Sequence, residues 1–254
     1  MPVSNQEIKK IVECLDNVFN TLSSVQHTLA TLEPLVRSSP IVDGLNNTYA
    51  AHTLNLLTHT LLKQATLDLC KATLDKHRNS NSLHNVFRQI DVMYEELKSE
   101  SIGTSRNKSN ITVMPQEGSV TAFEYDSNFE DYVRNEFDKK ISEAKSLFKK
   151  LQGSEVKTRL KKARDKWIAH TEILVADDSI TMWNPQLVGL KWGDPAEFLI
   201  SAQNIFSLLM SALYRRAFAF EMFHDEYKSY ADDFWGYLTC GIRAKQKAKN
   251  GSVY

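Results

Sequence analysis

Ile8-Lys9-Lys10-Ile11-Val12-Glu13-Cys14-Leu15-Asp16-Asn17-Val18-Phe19-Asn20-Thr21-Leu22 opens a run whose apolar residues recur in steps of three and four, continuing through Val25, Leu29 and Leu32. Such spacing puts one narrow apolar seam along a single long helix. Val12 and Phe19 widen the stripe, so an amphipathic helix lying on its own bundle stands beside self-association as a reading of that seam. Pro34 and Pro40 end the helix.

Working outward, the pattern stays helical. From Leu45 to about Asp75, Leu54, Leu57, Leu61, Ala65 and Leu69 share one face, while Leu56, Leu62, Leu67 and Leu74 fall elsewhere, which predicts a helix near the centre of the bundle. A third helix runs from Leu83 to Leu97 and gives way to a Ser-, Asn-, Thr- and Gly-rich stretch from Ser99 to Gly118, read as part of a flexible insertion over about 99–122. Phe129 to Leu151 is helical again and stops at Gly153. Ser154 is the expected N-cap of the next helix, which carries Val156, Leu160, Ala163 and Trp167 on one stripe. Asp177-Asp178, Pro185, Gly189 and Gly193 mark a connecting segment in which Ser179 to Trp183 has the look of a strand or hairpin edge. Pro195 is placed at a helix N-terminus, with helix expected to about His224 and again from Tyr227 to Lys249. The expected architecture is all-α: an N-terminal helical extension (1–43), a core (44–224), and a C-terminal helix with a basic tail (225–254).

Composition narrows the function classes. Lys plus Arg and Asp plus Glu number 31 each in 254 residues, with 42% hydrophobic residues, so a disordered tail or a globally basic nucleic-acid coat is excluded. Cys14, Cys70 and Cys240 are far apart and without Cys-x-x-Cys spacing, which supports neither a disulfide scaffold nor a zinc knuckle. A polar N-terminus without a signal-peptide pattern, together with this cysteine usage, points to the cytosol. Phe198 to Tyr214 is the most apolar stretch but carries Ser201, Gln203, Asn204, Ser207 and Ser211, and reads as a buried helix with no membrane partner.

Most chemical motifs fail. Glu221-Met222-Phe223-His224 is a single Glu-x-x-His where a di-iron bundle needs two, and it reads as a surface helix end. His52 and His59 share a face without a third ligand and are taken as packed or capped. P-loop, dinucleotide-binding, hydrolase-elbow and zincin patterns are missing, and neither metal nor cofactor is expected. The basic residues Arg243, Lys245, Lys247 and Lys249 read as a solvated terminus.

One segment stands apart: Lys161-Lys162-Ala163-Arg164-Asp165-Lys166-Trp167-Ile168-Ala169-His170. Arg offers a rigid fork of donors that suits phosphate, and His, with an unperturbed pKa of about 6.5, exchanges protons near neutrality. RNA carries its own nucleophile, the 2′-hydroxyl, so a base, an acid and a cation suffice for phosphodiester cleavage without a metal. On a straight helix Arg164 and His170 lie about 120° and about 9 Å apart, a spacing easier to use when two motif helices meet across a two-fold axis. From Lys149 to Lys166 eight basic residues face two acidic ones, a local positive stretch in a neutral chain. Against this stands a plainer account: His170 lies on the stripe of Val156, Leu160, Ala163 and Trp167 as a core residue, and Arg164-Asp165 with its lysines forms a solvated face.

The segment Arg164-Asp165-Lys166-Trp167-Ile168-Ala169-His170 resembles the defining motif of the HEPN superfamily, and its local form is similar to the branch found in abortive-infection toxins of phage defence. The order of helices around the motif resembles that superfamily over about 45–224. The resemblance implies a HEPN-like bundle carrying an additional N-terminal helix and an insertion loop. It also implies dimerisation through the motif helices into a composite site, and metal-independent cleavage of single-stranded RNA to a 2′,3′-cyclic phosphate. On that resemblance His170 is general base or acid, Arg164 binds the scissile phosphate and Asp165 orients one of them. Lys161, Lys162 and Lys166 are added here as RNA contacts. Toxins paired with nucleotidyltransferase antitoxins resemble a version with Tyr two residues after the His; Glu172 stands there, so control by tyrosine modification is not supported, although an antitoxin or other defence component remains an expected partner. A catalytically silent RNA- or nucleotide-binding module and a dimeric scaffold are the competing readings.

Overall fold

The computed structural model describes residues 5–36, 42, 44, 49–109, 127–169, 173–176, 179–182, 189–215 and 218–251. Among these residues the chain forms eight helices and one hairpin: α1 (Asn5–Val36), α2 (Tyr49–Leu74), α3 (Leu83–Val92), α4 (Tyr94–Ser109), α5 (Ser127–Gly153), α6 (Glu155–Ala169), β1 (Ile173–Ala176), β2 (Ser179–Met182), α7 (Asp194–Tyr214) and α8 (Phe220–Gly251). The strands pair antiparallel with Ile173 opposite Met182 and Ala176 opposite Ser179, where a hairpin edge was expected. The fold is all-α, as the periodicity predicts.

The N-terminal seam is internal. Ile11, Leu15, Val18, Leu22 and Val25 are buried in the same core as α7, so α1 uses its stripe to close its own bundle. Its helix passes Pro34, which lies near its end, and continues to Val36. α7 is the central element. It packs most extensively on α5 and also meets α1, α2, α4 and α6. Phe198, Leu199, Ile205, Phe206 and Leu209 are all buried, each large side chain contributing about 1.5–3 kcal/mol relative to exposure. Among the described residues α7 is the one helix long and apolar enough to cross a membrane, and half of that window is buried inside the bundle.

Four expectations need correction. α2 is not central along its length: Leu62, Ala65, Leu69 and Cys70 are buried, but Leu56 is 63% exposed, Leu57 is exposed too, and so are His52 and His59, which are therefore not packed histidines. An apolar residue on every face says nothing about how far along the helix neighbours extend. The third helix is divided at Met93, a buried residue that leaves helical geometry while its N–H still donates to the Gln89 carbonyl and its carbonyl accepts from Leu97 N–H. The helix after it does not stop at Ser99 but runs to Ser109, and the rest of the expected insertion, 110–122, lies outside the described residues. Weak local propensity is overridden there by tertiary anchors: the buried Ser101 hydroxyl donates to the Ala212 carbonyl at 3.0 Å, and Tyr94 and Lys98 both reach Asp138 at 2.7 Å. Finally, the last helical break falls before Phe220 rather than at His224, because Arg215 closes α7 in the left-handed region at φ 50° with its N–H on the Ser211 carbonyl.

Candidate functional site

The motif helix α6 begins as the sequence predicts. Ser154 leaves the preceding helix with its hydroxyl donating to the Leu151 carbonyl at 2.9 Å. Its oxygen accepts the Lys157 N–H at 3.1 Å, satisfying one of the donors that every helix start leaves open. Glu155 adds a carboxylate where the helix dipole favours one. Val156, Leu160 and Ala163 are buried, and this stripe fixes which face α6 turns to the core.

Arg159 locks that orientation. Its Nε and Nη2 donate to Asp194 Oδ2 and Oδ1 at 2.7 and 2.8 Å, a bidentate pair on a carboxylate that is buried at the N-terminus of α7. The Lys191 N–H also donates to Asp194 at 2.9 Å. Burial pushes the Asp194 carboxyl upward, but the Arg159 hydrogen bonds and the Lys191 N–H outweigh it, and the group is held below its ordinary value. This clamp was not read from the sequence. Arg159 is one of many basic residues in the segment, and nothing local to it signals a carboxylate 35 residues further on.

Arg164 is placed differently. Its Nε and Nη2 both donate to Oδ1 of the next residue, Asp165, at 2.9 and 2.6 Å, and the pair is partly open to water. Arg164 and Asp165 border a groove of about 720 Å³ whose opposite wall is Gln64, Leu67, Asp68 and Lys71 of α2 and Asp75 just past its end. Gln64 is tied to Asp68 by a 2.8 Å hydrogen bond along that wall. The α2 residues were missed as site candidates because only packing brings them opposite the motif.

Behind the pair sits Cys70, fully buried on α2. Burial pushes its thiol up to about 12, the Arg164 charge lowering it and Asp165 raising it. The thiol is therefore protonated at neutral pH and supplies no nucleophile.

Of the six residues singled out in the sequence, the structure brings Arg164 and Asp165 together at the groove. Lys161, Lys162 and Lys166 are exposed on α6, and none of them lines it. The groove itself holds three carboxylates, Asp68, Asp75 and Asp165, against Lys71 and Arg164, so the positive excess of the segment lies around the groove rather than in it. His170 lies outside the described residues, one position beyond the last described residue of α6. Among the described residues no cluster of three or more His, Cys, Asp or Glu side chains is placed to hold a metal ion.

What this arrangement can do chemically follows from the fork. A guanidinium pre-oriented by a neighbouring carboxylate at the rim of a groove can receive a phosphate. Comparison with known proteins agrees with the all-α fold. No curated protein and no solved structure matches the chain. The family model HEPN_AbiU2, described as AbiU2, matches residues 5–234, from the first described turn of α1 well into α8, and the chain belongs to this HEPN-type abortive-infection family.

Proposed function

We propose that the protein is a metal-independent endoribonuclease that cleaves single-stranded RNA and acts as a toxin or phage-defence effector. The observation that carries this reading is the position of Arg164 and Asp165: the Arg fork stands at a groove, held by the adjacent carboxylate, five residues before the end of α6, in a chain of an abortive-infection HEPN family. Arg164 binds the scissile phosphate and stabilises its extra negative charge. Asp165 orients the fork. His170 exchanges protons: as the 2′-hydroxyl attacks phosphorus its proton passes to a base, the bond to the 5′-oxygen breaks, and that oxygen takes a proton from an acid. The products are a 2′,3′-cyclic phosphate and a free 5′-hydroxyl. One imidazole serves both steps in turn, or two copies share them if motif helices from two chains face one another. Lys161, Lys162 and Lys166 hold the RNA backbone on the exposed face of α6. The cytosol, where this RNA and any antitoxin reside, is the proposed compartment.

The second reading is a non-catalytic HEPN-like RNA- or nucleotide-binding module or dimeric scaffold. The carboxylates of the groove favour its scaffold form, because Asp68 and Asp75 stand where a polyanion would have to pass. Incubating labelled single-stranded RNA with purified protein in excess EDTA, with His170→Ala in parallel, separates the two. Cleavage by the wild type alone, with cyclic-phosphate ends, supports the nuclease. RNA binding without cleavage by either protein supports the second reading.

A further inference from the structure

A cavity of about 740 Å³ opens between α1, α7 and the start of α8, and it shares no lining residue with the groove at Arg164. Its size falls within the range of about 300–1,000 Å³ typical of small-molecule sites. The floor is apolar, made by Leu29, Ala30 and Leu32 of α1, Leu199 of α7 and Phe220 of α8. Into this floor is set a buried amide ladder: Gln203 Nε2 donates to Gln26 Oε1 at 2.9 Å, and Gln26 Nε2 donates to the Phe220 carbonyl at 3.0 Å, so that the three elements are fixed to one another around the cavity.

The rim is acidic. Glu33, Glu221 and Asp225 are carboxylates, His224 sits between the last two in sequence, and among the described residues no Lys or Arg lines the cavity. Trp192, 39% exposed, adds an aromatic face at the edge. An anionic ligand would be repelled by Glu221 and Asp225, and an uncharged apolar one would make no use of them. A protonated amine on a carbon chain meets both parts, with the nitrogen at the rim carboxylates and the aromatic face and the methylenes on the floor.

We infer that the cavity between α1, α7 and α8 is a binding site for an organic amine, of the aliphatic polyamine class, held by Glu221 and Asp225 at the rim and by Leu29, Leu199 and Phe220 below. The Glu221-x-x-His224 pair, which the sequence offers as an unused metal-type motif, thereby acquires a place: both residues are exposed on the first turns of α8 and both face this cavity. The site is independent of ribonuclease activity and stands or falls without it.

Titration calorimetry of the full chain with spermidine tests the site, with 1,8-octanediol as an uncharged probe of similar length. Saturable binding of spermidine and none of the diol is expected. The double variant Glu221→Gln/Asp225→Asn, both exposed positions, should weaken spermidine about tenfold or more without lowering the melting temperature. Ala196→Phe, which fills the cavity from the α7 wall, should abolish binding. Glu143→Gln, an exposed carboxylate on α5 far along the chain, is the control for general attraction to acidic residues and should change nothing. No binding at millimolar spermidine, equal binding of the diol, an equal loss in Glu143→Gln, or an unchanged affinity in the double variant would each overturn the assignment. So would full binding by a folded Ala196→Phe protein.

Discussion

Arg159 and Arg164 stand five residues apart on one helix, carry the same side chain, and end on carboxylates in both cases, yet the two pairs differ in everything that matters for function. Arg159 reaches a buried Asp194 on another helix with both oxygens engaged, and a backbone N–H shares the load. Arg164 turns to its own neighbour, Asp165, through one oxygen, at the edge of a groove. The first pair joins two elements of the core. The second ties no two elements together and leaves the Arg164 fork at the surface. A stability role for the first and the proposed substrate role for the second are what that difference suggests testing.

The contrast can be broken at its strongest point first. His170→Ala should reduce cleavage of single-stranded RNA by roughly 10²- to 10⁴-fold with little change in melting temperature; a fall of less than about tenfold, measured by single-turnover kinetics, removes His170 from the mechanism. Arg164→Lys keeps the charge but not the fork and should cost at least about tenfold in kcat/KM, with stability within about 0.5 kcal/mol of wild type. If Lys serves as well, Arg164 supplies charge alone.

Arg159→Ala should behave in the opposite way. It leaves Asp194 buried with only the Lys191 N–H, and destabilisation on the order of 2–3 kcal/mol is expected from urea unfolding, below the full cost of breaking a buried pair because Arg159 keeps 21% of its side chain exposed. Cleavage should persist at temperatures where this variant is folded. Its loss in a folded variant would mean that the clamp positions the motif and is not only an anchor.

A smaller effect follows from protonation. Asp194 has its folded-state carboxyl held below the ordinary 3.8, so its contribution to stability is present above that value and is lost as pH falls through the lower folded-state value. Wild type should therefore lose stability faster than Asp194→Asn once pH drops below about 3.8, read as urea midpoints across the acid range. Parallel curves would mean that the pair is already dispensable at neutral pH. Smallest of all, Asp165→Asn retains a carbonyl oxygen to receive the fork and should lower kcat/KM only several-fold, whereas Asp165→Ala should approach the Arg164 variants if orientation of the fork is what Asp165 supplies.

Parts of this picture were legible before any coordinates. Ser154 following Gly153 marked the start of α6, Pro195 the start of α7, and the seam from Ile11 to Val25 the buried face of α1, because caps, proline geometry and helical period are local properties of the chain. The motif Arg164-Asp165 with His170 was legible too, as a pattern. What escaped was of one kind. The exposed first half of α2, the extension of α4 to Ser109 and the clamp of Arg159 on Asp194 all depend on which partner arrives from elsewhere.

By itself, the sequence determined that the chain is helical, where most helices begin, which faces are apolar and where the pattern of Arg164, Asp165 and His170 lies, since each of these follows from neighbours within a few turns. Only the tertiary structure decided that α7 rather than α2 fills the centre, that Arg159 is spent on the core while Arg164 faces a groove walled by α2, and that an acid-rimmed cavity lies between α1, α7 and α8. The reason is physical: periodicity states that a face must be covered and a charge must be paired, but the element that covers it or pairs with it lies tens of residues away, and packing makes that choice.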